Sequence, residues 1–274
     1  MGLTKKLQIL FYGVLVWGYG NTHTSVSART FLPAQVSVSQ RTQQLAREGQ
    51  QAFQQKQWER AISLFTASLA LNDKQPYLLN ARGVAYLNLG LAEQAIADFN
   101  ACRELLPRQA LPYFNLGNAY RLQDRRNDAV TAYTEAIALN PKYIAAYNNR
   151  GITYSELKNY AAALKDYQQS LRLNPRDLDV RNNRGYLYLL QKDYTRALQD
   201  FNAVLRKDSR HALAYGNKAQ ALYLQGQCEA AIPLLDKSCA LGNTKACRVV
   251  KSLQCKVPSP KDVPLDSSGA QVID

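Results

Sequence analysis

The stretch AAYNNRGITYSELKNYAAALKDYQQSLRLNP, residues 145–175, reads as two amphipathic helices joined by a short turn at Leu157-Lys158-Asn159. The Asn-Pro pair at 174–175 ends the second helix, because proline has no backbone N–H to continue the ladder. One such hairpin leaves an apolar face uncovered, so it needs neighbours of the same kind stacked against it. The rest of the chain supplies them. Gly49, Gly83, Gly117, Gly151 and Gly185 recur every 34 residues, and the next step lands on Ala219. Ala61, Ala95, Ala129, Ala163, Ala197 and Ala231 keep the same spacing. An aromatic series runs Phe65, Phe99, Tyr133, Tyr167, Phe201 and ends on Leu235. Tyr86, Tyr120, Tyr154 and Tyr188 form another, and Pro107, Pro141 and Pro175 sit near the joins. Registers held over six copies define an internal repeat. Small residues at the glycine and alanine positions let the paired helices approach closely, and the aromatic residue fills the space between hairpins.

This pattern resembles the tetratricopeptide repeat family over about residues 42–243, some three quarters of the chain. The resemblance implies an all-α fold, a right-handed superhelical solenoid of six helical hairpins plus a C-terminal capping helix. About function it implies partner binding and little more. The first repeat, Thr42–Gln75, is weaker, with Ala52 where later copies carry tyrosine. The sixth, Ala212–Lys245, departs at Ala219, Leu235 and Pro233, and a slight bend is expected at the proline.

Outside the repeats the composition changes. Residues 1–28 have the three-part layout of a secretory signal: Lys5 and Lys6, an uncharged run from Leu7 to Gly20, then a polar stretch ending Val26-Ser27-Ala28. The uncharged run of 14 residues is short of the roughly 20 that a membrane span needs. Cleavage near Ala28 is expected, with an uncleaved membrane anchor as the alternative. Residues 29–41 read as a linker, 244–256 as a capping helix without a partner, and 257–274, rich in Pro, Ser and Gly, as a disordered tail.

Four of the five cysteines crowd the last hairpin: Cys228, Cys239, Cys247 and Cys255. In an antiparallel pair of helices Cys239 would face Cys247 near the loop, and Cys228 would face Cys255 at the far end. An exported protein would hold these as two nested disulfides. The Cys-x7-Cys spacing of CALGNTKAC also resembles the disulfide-linked repeats of Sel1-like proteins, over this one hairpin only. A zinc site would favour Cys-x2–4-Cys pairs, and none occurs. Reduced core cysteines in a cytosolic protein are the remaining alternative. Cys102 falls at a small-residue packing position.

A binding site is expected on the first helices of the hairpins, which line the groove in the family this chain resembles. Asn115, Asn149, Asn183 and Asn217 form a further 34-residue register there, flanked by Asn80, Asn118, Asn148 and Asn182. An asparagine amide donates and accepts at once, so a ladder of them can grip a peptide main chain without reading its side chains. The ladder resembles the one in the repeat domain of O-linked N-acetylglucosamine transferase. The bland alternative is that these amides bond only to the neighbouring helix. Arg82, Arg150 and Arg184 share the spacing, either facing the groove or lying between hairpins with their stems buried. Asp98, Asp166 and Asp200 recur at multiples of 34 and belong to the repeat.

An enzyme is hard to build from these residues. His23 lies in the targeting segment and His211 at a repeat boundary. No glycine-rich phosphate loop, nucleophile elbow or helical His-Glu pair occurs, so no cofactor and no metal is expected. The net charge of +13 admits acidic partners or an anionic surface. Nucleic acid is not an expected partner, because the cations are dispersed and the protein is read as exported. The partner expected is another protein, engaged through an extended or helical peptide segment. A cytosolic or membrane-tethered scaffold, or a spacer with no specific ligand, is the alternative.

Overall fold

A computed structural model describes residues 37–252, with the side chains of residues 250–252 left aside. The described residues form thirteen α-helices and no strand. The first half runs α1 (Val38–Gln54), α2 (Trp58–Leu71), α3 (Pro76–Asn88), α4 (Ala92–Leu105), α5 (Ala110–Leu122) and α6 (Arg126–Leu139). The second runs α7 (Ile144–Glu156), α8 (Tyr160–Leu173), α9 (Leu178–Leu190), α10 (Tyr194–Lys207), α11 (Ala212–Leu224), α12 (Cys228–Ala240) and α13 (Thr244–Ser252). Consecutive odd and even helices pack as hairpins, each hairpin packs on the next, and α13 packs on α12. The stacked hairpins are what the periodicity predicts, and the superhelical repeat fold is what the family resemblance implies.

One boundary differs from the sequence reading. The linker expected over 29–41 gives way to helix at Val38, because nothing between 38 and 41 is a glycine or proline that would stop α1. At the other end α13 starts at Thr244, the first residue of the expected cap and two residues ahead of the frame set by α11, and Gly242 turns the chain at φ +96°. The targeting segment, the remainder of the linker, residues 253–256 of the expected cap and the tail lie outside the described residues.

The glycine and aromatic registers turn out to be one device. A Cβ built on Gly83 would lie 2.5 Å from Phe99, one on Gly49 2.7 Å from Phe65, and one on Gly185 2.8 Å from Phe201. Each ring therefore packs against the bare backbone of its own hairpin, sixteen residues back. The same rings also meet the following hairpin: Phe99 clusters with Leu116 and Ala119, and Tyr167 with Val180 and Leu187. Where the glycine becomes Ala219 the ring becomes Leu235, a smaller side chain facing a larger backbone neighbour.

Within each hairpin the turn follows one pattern. In the fourth, Asn159 N–H donates to Tyr154 O (2.8 Å) and Lys158 N–H to Ser155 O (2.9 Å), the paired bonds of a Schellman motif. This puts Lys158 in the left-handed region, at φ 60°. Lys56, Gly90, Asp124, Lys192 and Gly226 take the same conformation at the same 34-residue spacing. Asn159 then caps the next helix, its Oδ1 accepting from Ala162 N–H at 3.2 Å.

Candidate functional site

In a curved stack the elements on the inside lie closest together. Successive first helices approach one another from α1 to α11, whereas no two successive second helices come comparably close. The odd-numbered helices therefore form the inner face, and the asparagine register rides on them.

The structure joins all eight asparagines of that register and its flank, in four hydrogen bonds between neighbouring hairpins. Asn115 Nδ2 donates to Asn80 Oδ1 (2.6 Å), Asn149 to Asn118 (2.8 Å), Asn183 to Asn148 (3.2 Å) and Asn217 to Asn182 (3.1 Å). Three of these bonds span 35 residues and one spans 31. The exception has a cause. The acceptor position that holds Asn80, Asn148 and Asn182 holds Phe114 in the third hairpin. Phe114 instead packs on Tyr143, centroids 4.9 Å apart, and Asn149 reaches Asn118 one turn further along. Asn118 Oδ1 also accepts from the Tyr133 hydroxyl at 2.7 Å. Burial pushes that hydroxyl up to about 12.

Each ladder amide thus commits one N–H to its neighbour. The carbonyl and second N–H of Asn183 and Asn217 make no bond among the described residues. Asn115 is different: it is 6% exposed and closed to a ligand. Among the four donors Asn149, Asn183 and Asn217 are half-buried, and among the four acceptors Asn182 is buried while Asn80, Asn118 and Asn148 are half-buried.

Around Asn183 and Asn217 the inner face deepens into a cavity of about 610 Å³. Asn183, Asn217 and Gln220 line it beside Tyr186, Leu213 and Tyr223, and α13 contributes Lys245 and Val249. Leu213 is 55% exposed and Tyr223 47%. Sequence reading missed these apolar residues. Leu111 and Tyr77 share the Leu213 position in other repeats, so nothing in the register marks it, and part of the cavity wall comes from α13, outside the register.

The arginine register resolves differently. Arg82 grips Asp98 in bidentate fashion (Nε to Oδ2 2.8 Å, Nη2 to Oδ1 2.7 Å), and Nη1 donates to Thr66 in the preceding hairpin at 3.0 Å. Arg150 repeats this with Asp166 and Thr134, and Arg184 grips Asp200. The arginines lie between hairpins as one alternative held, but their heads are bound by carboxylates and are not offered to a ligand. Bonding to Asp98 holds the Arg82 guanidinium protonated beyond its ordinary range. The signal was in the sequence: the third hairpin loses both partners together, with Leu116 at the arginine position and Ala132 at the aspartate position. Arg121, Arg125 and Arg126 around the α5–α6 turn are likewise paired, Arg121 with Glu156, Arg125 with Asp128, and Arg126 with Asp124 and Glu156.

At the end of the stack Cys239 and Cys247 stand at disulfide distance, with Cα atoms 4.7 Å apart, where α12 meets α13 beside the cavity wall. The second expected pair, Cys228–Cys255, involves Cys255, which lies outside the described residues. Cys102 is buried and free, and burial raises its thiol to about 11. It occupies the position held by Ser68, Ser170 and Ser238, whose hydroxyls donate to carbonyls of the first helix, as Ser68 does to Thr42 O at 3.0 Å. His211 caps α11, its Nδ1 accepting from Ala214 N–H at 3.1 Å. Among the described residues no helix is long and apolar enough to cross a membrane.

Comparison with known proteins agrees with this geometry. Models of the tetratricopeptide repeat match residues 47–110, 117–158, 144–177, 166–199 and 193–246. Among solved structures, YrrB, described as a tetratricopeptide repeat protein with an unusual peptide-binding site, aligns at a TM-score of 0.53 with 22% identity, over 69% of this chain and 98% of its own. Pseudomonas aeruginosa pilF aligns at 0.64 with 17% identity, over 79% of this chain and 99% of its own. A tetratricopeptide repeat protein from Parabacteroides merdae aligns at 0.66 with 18% identity, over 78% and 89%. At these identities the solved structures speak for the fold. The paired glycine and aromatic registers, the 34-residue frame and the repeat models together make this chain a member of the tetratricopeptide repeat family.

Proposed function

We propose that this protein is an exported, non-catalytic adaptor that binds a peptide segment of a partner protein along its inner face. Tetratricopeptide repeats support a protein-interaction scaffold, and the observation that carries the finer reading is the inner-face cavity. It combines exposed apolar surface at Leu213 and Tyr223 with amides at Asn183 and Asn217 that keep unspent hydrogen-bonding capacity. Apolar walls with a few convergent polar groups are what a side chain and its flanking peptide bonds require. Export rests on the three-part layout of residues 1–28 and on the paired approach of Cys239 and Cys247. Read as a formed disulfide, that pair belongs in an oxidising compartment such as the bacterial periplasm or an equivalent lumen. Assembly of a membrane or envelope complex is a fitting setting.

Crosslinking capture from the native compartment tests the reading. Leu213→Glu leaves the hairpin interfaces untouched and is expected to abolish capture of the partner with an unchanged melting temperature. Capture that persists in both Leu213→Glu and Asn183→Ala would sink the groove. It would leave the second reading, a structural spacer, which the four inter-hairpin Asn–Asn bonds favour. N-terminal sequencing decides export separately: a mature terminus near residue 29 is expected, and an intact Met1 would return the protein to a cytosolic or membrane-tethered role.

A further inference from the structure

The repeat serves as its own control for finding residues that the fold does not need. The position of Arg181 holds Leu45, Leu79, Tyr113, Tyr147 and Tyr215 in the other hairpins, and the position of Lys207 holds Leu71, Leu105, Leu139, Leu173 and Leu241. Two apolar positions become cationic together, and only in the fifth hairpin. They also come together in space. With Arg176 and Arg206 they line a cavity of about 460 Å³, floored by Pro175 and Leu178, between the start of α9 and the end of α10.

The fold explains the shape of Arg181 and not its charge. Its Nη2 donates to Pro175 O at 3.0 Å, the bond that the Tyr113 hydroxyl makes to Pro107 O at 3.2 Å. A tyrosine would serve that bond. Among the described residues the carboxylate within ion-pair distance of it is Asp200, 3.9 Å away and already gripped by Arg184. Three further carboxylates lie close in sequence, keep their charge and bond other groups: Asp177 accepts from Val180 N–H, Asp208 from Arg210 N–H, and Asp179 meets His211. None of them lines the cavity. Arg176, Arg206 and Lys207 are exposed and make no ion pair among the described residues. Three guanidinium forks and one ammonium around a hollow without an acid suit a multiply charged oxyanion better than a single carboxylate.

We propose that this cavity is an anion site for a phosphate group, presented either on a lipid headgroup or on a soluble phosphate ester. It shares no residue with the inner-face cavity, so it stands or falls apart from the peptide reading. Docking there would give the scaffold an anionic anchor point while leaving the inner face open.

The test restores the repeat's own residues. The double substitution Arg181→Tyr with Lys207→Leu keeps the bond to Pro175 and returns the apolar packing, so its melting temperature should match or exceed that of the wild type. Full-length protein is sedimented with phosphatidylcholine vesicles with and without phosphatidylglycerol, and separately melted with and without pyrophosphate. The wild type is expected to bind the anionic vesicles and to be stabilised by pyrophosphate. The variant should bind about thirtyfold more weakly, at about fivefold per cation removed. Stabilisation by pyrophosphate that the variant loses, without vesicle binding, assigns the phosphate to a soluble source. Failure of both probes overturns the site, and so does equal binding by wild type and variant, which would trace the affinity to the dispersed surface charge.

Discussion

The third and fourth hairpins share a backbone frame and differ in what fills it. In the fourth, Arg150 and Asp166 form a mostly buried ion pair that reaches back to Thr134. In the third, Leu116 and Ala132 meet in an apolar cluster at the same two positions. One frame therefore accepts either filling, provided both partners change at once. The difference extends to the ladder. The third hairpin puts Phe114 where the fourth puts Asn148, and the ladder bond shifts by one turn to Asn118. The repeat is conserved within the chain as a set of contacts more than as a set of residues.

The largest expected effect comes from breaking one half of the exchange. Asp166→Ala leaves the Arg150 guanidinium, 15% exposed, without its carboxylate and should cost about 3 kcal/mol in urea denaturation. Adding Arg150→Leu to it copies the third hairpin and should bring stability back to within about 1 kcal/mol of the wild type. A double variant as unstable as the single one would show that the two fillings are not interchangeable.

A smaller effect separates the aromatic positions. Tyr133→Phe loses the bond to Asn118 and should cost about 1 kcal/mol, while Tyr167→Phe, which breaks no hydrogen bond among the described residues, should cost almost nothing. The loss also has a pH signature. The Tyr133 hydroxyl ionises near 10.0 in the unfolded chain and near 12 when folded. Its contribution is complete below pH 10 and falls as the pH climbs toward 12, because the unfolded state ionises first. Melting temperatures measured across that range should decline less steeply in Tyr133→Phe than in the wild type.

The smallest effect lies in the turns. Lys158→Gly removes the strain of a left-handed lysine and should add about 0.5 kcal/mol. Asp124→Gly in the third hairpin should add less, since aspartate tolerates that conformation better. Equal gains in thermal melts would argue against side-chain strain as the cause.

The fold was legible because glycine, alanine and aromatic spacings all report the same short-range packing. The asparagine ladder was legible as a register, but its partners were not: Asn149 to Asn118 depends on Phe114 withdrawing from the line, which only a folded arrangement shows. The Arg–Asp pairing was written in the joint loss at Leu116 and Ala132, and reading the two registers separately concealed it. The inner-face cavity had no signal in the registers, since Val249 and Lys245 join it from α13, outside the 34-residue pattern.

Every hydrogen bond between hairpins among the described residues spans 35 residues or fewer. Nothing near the beginning of the array waits for anything near its end. A chain leaving the ribosome can settle each hairpin as soon as the next has emerged, with loop-closure entropy that stays small and constant. Among the described residues α13 alone has no successor to settle it, and there two cysteines at disulfide distance, Cys239 and Cys247, stand where the next hairpin would.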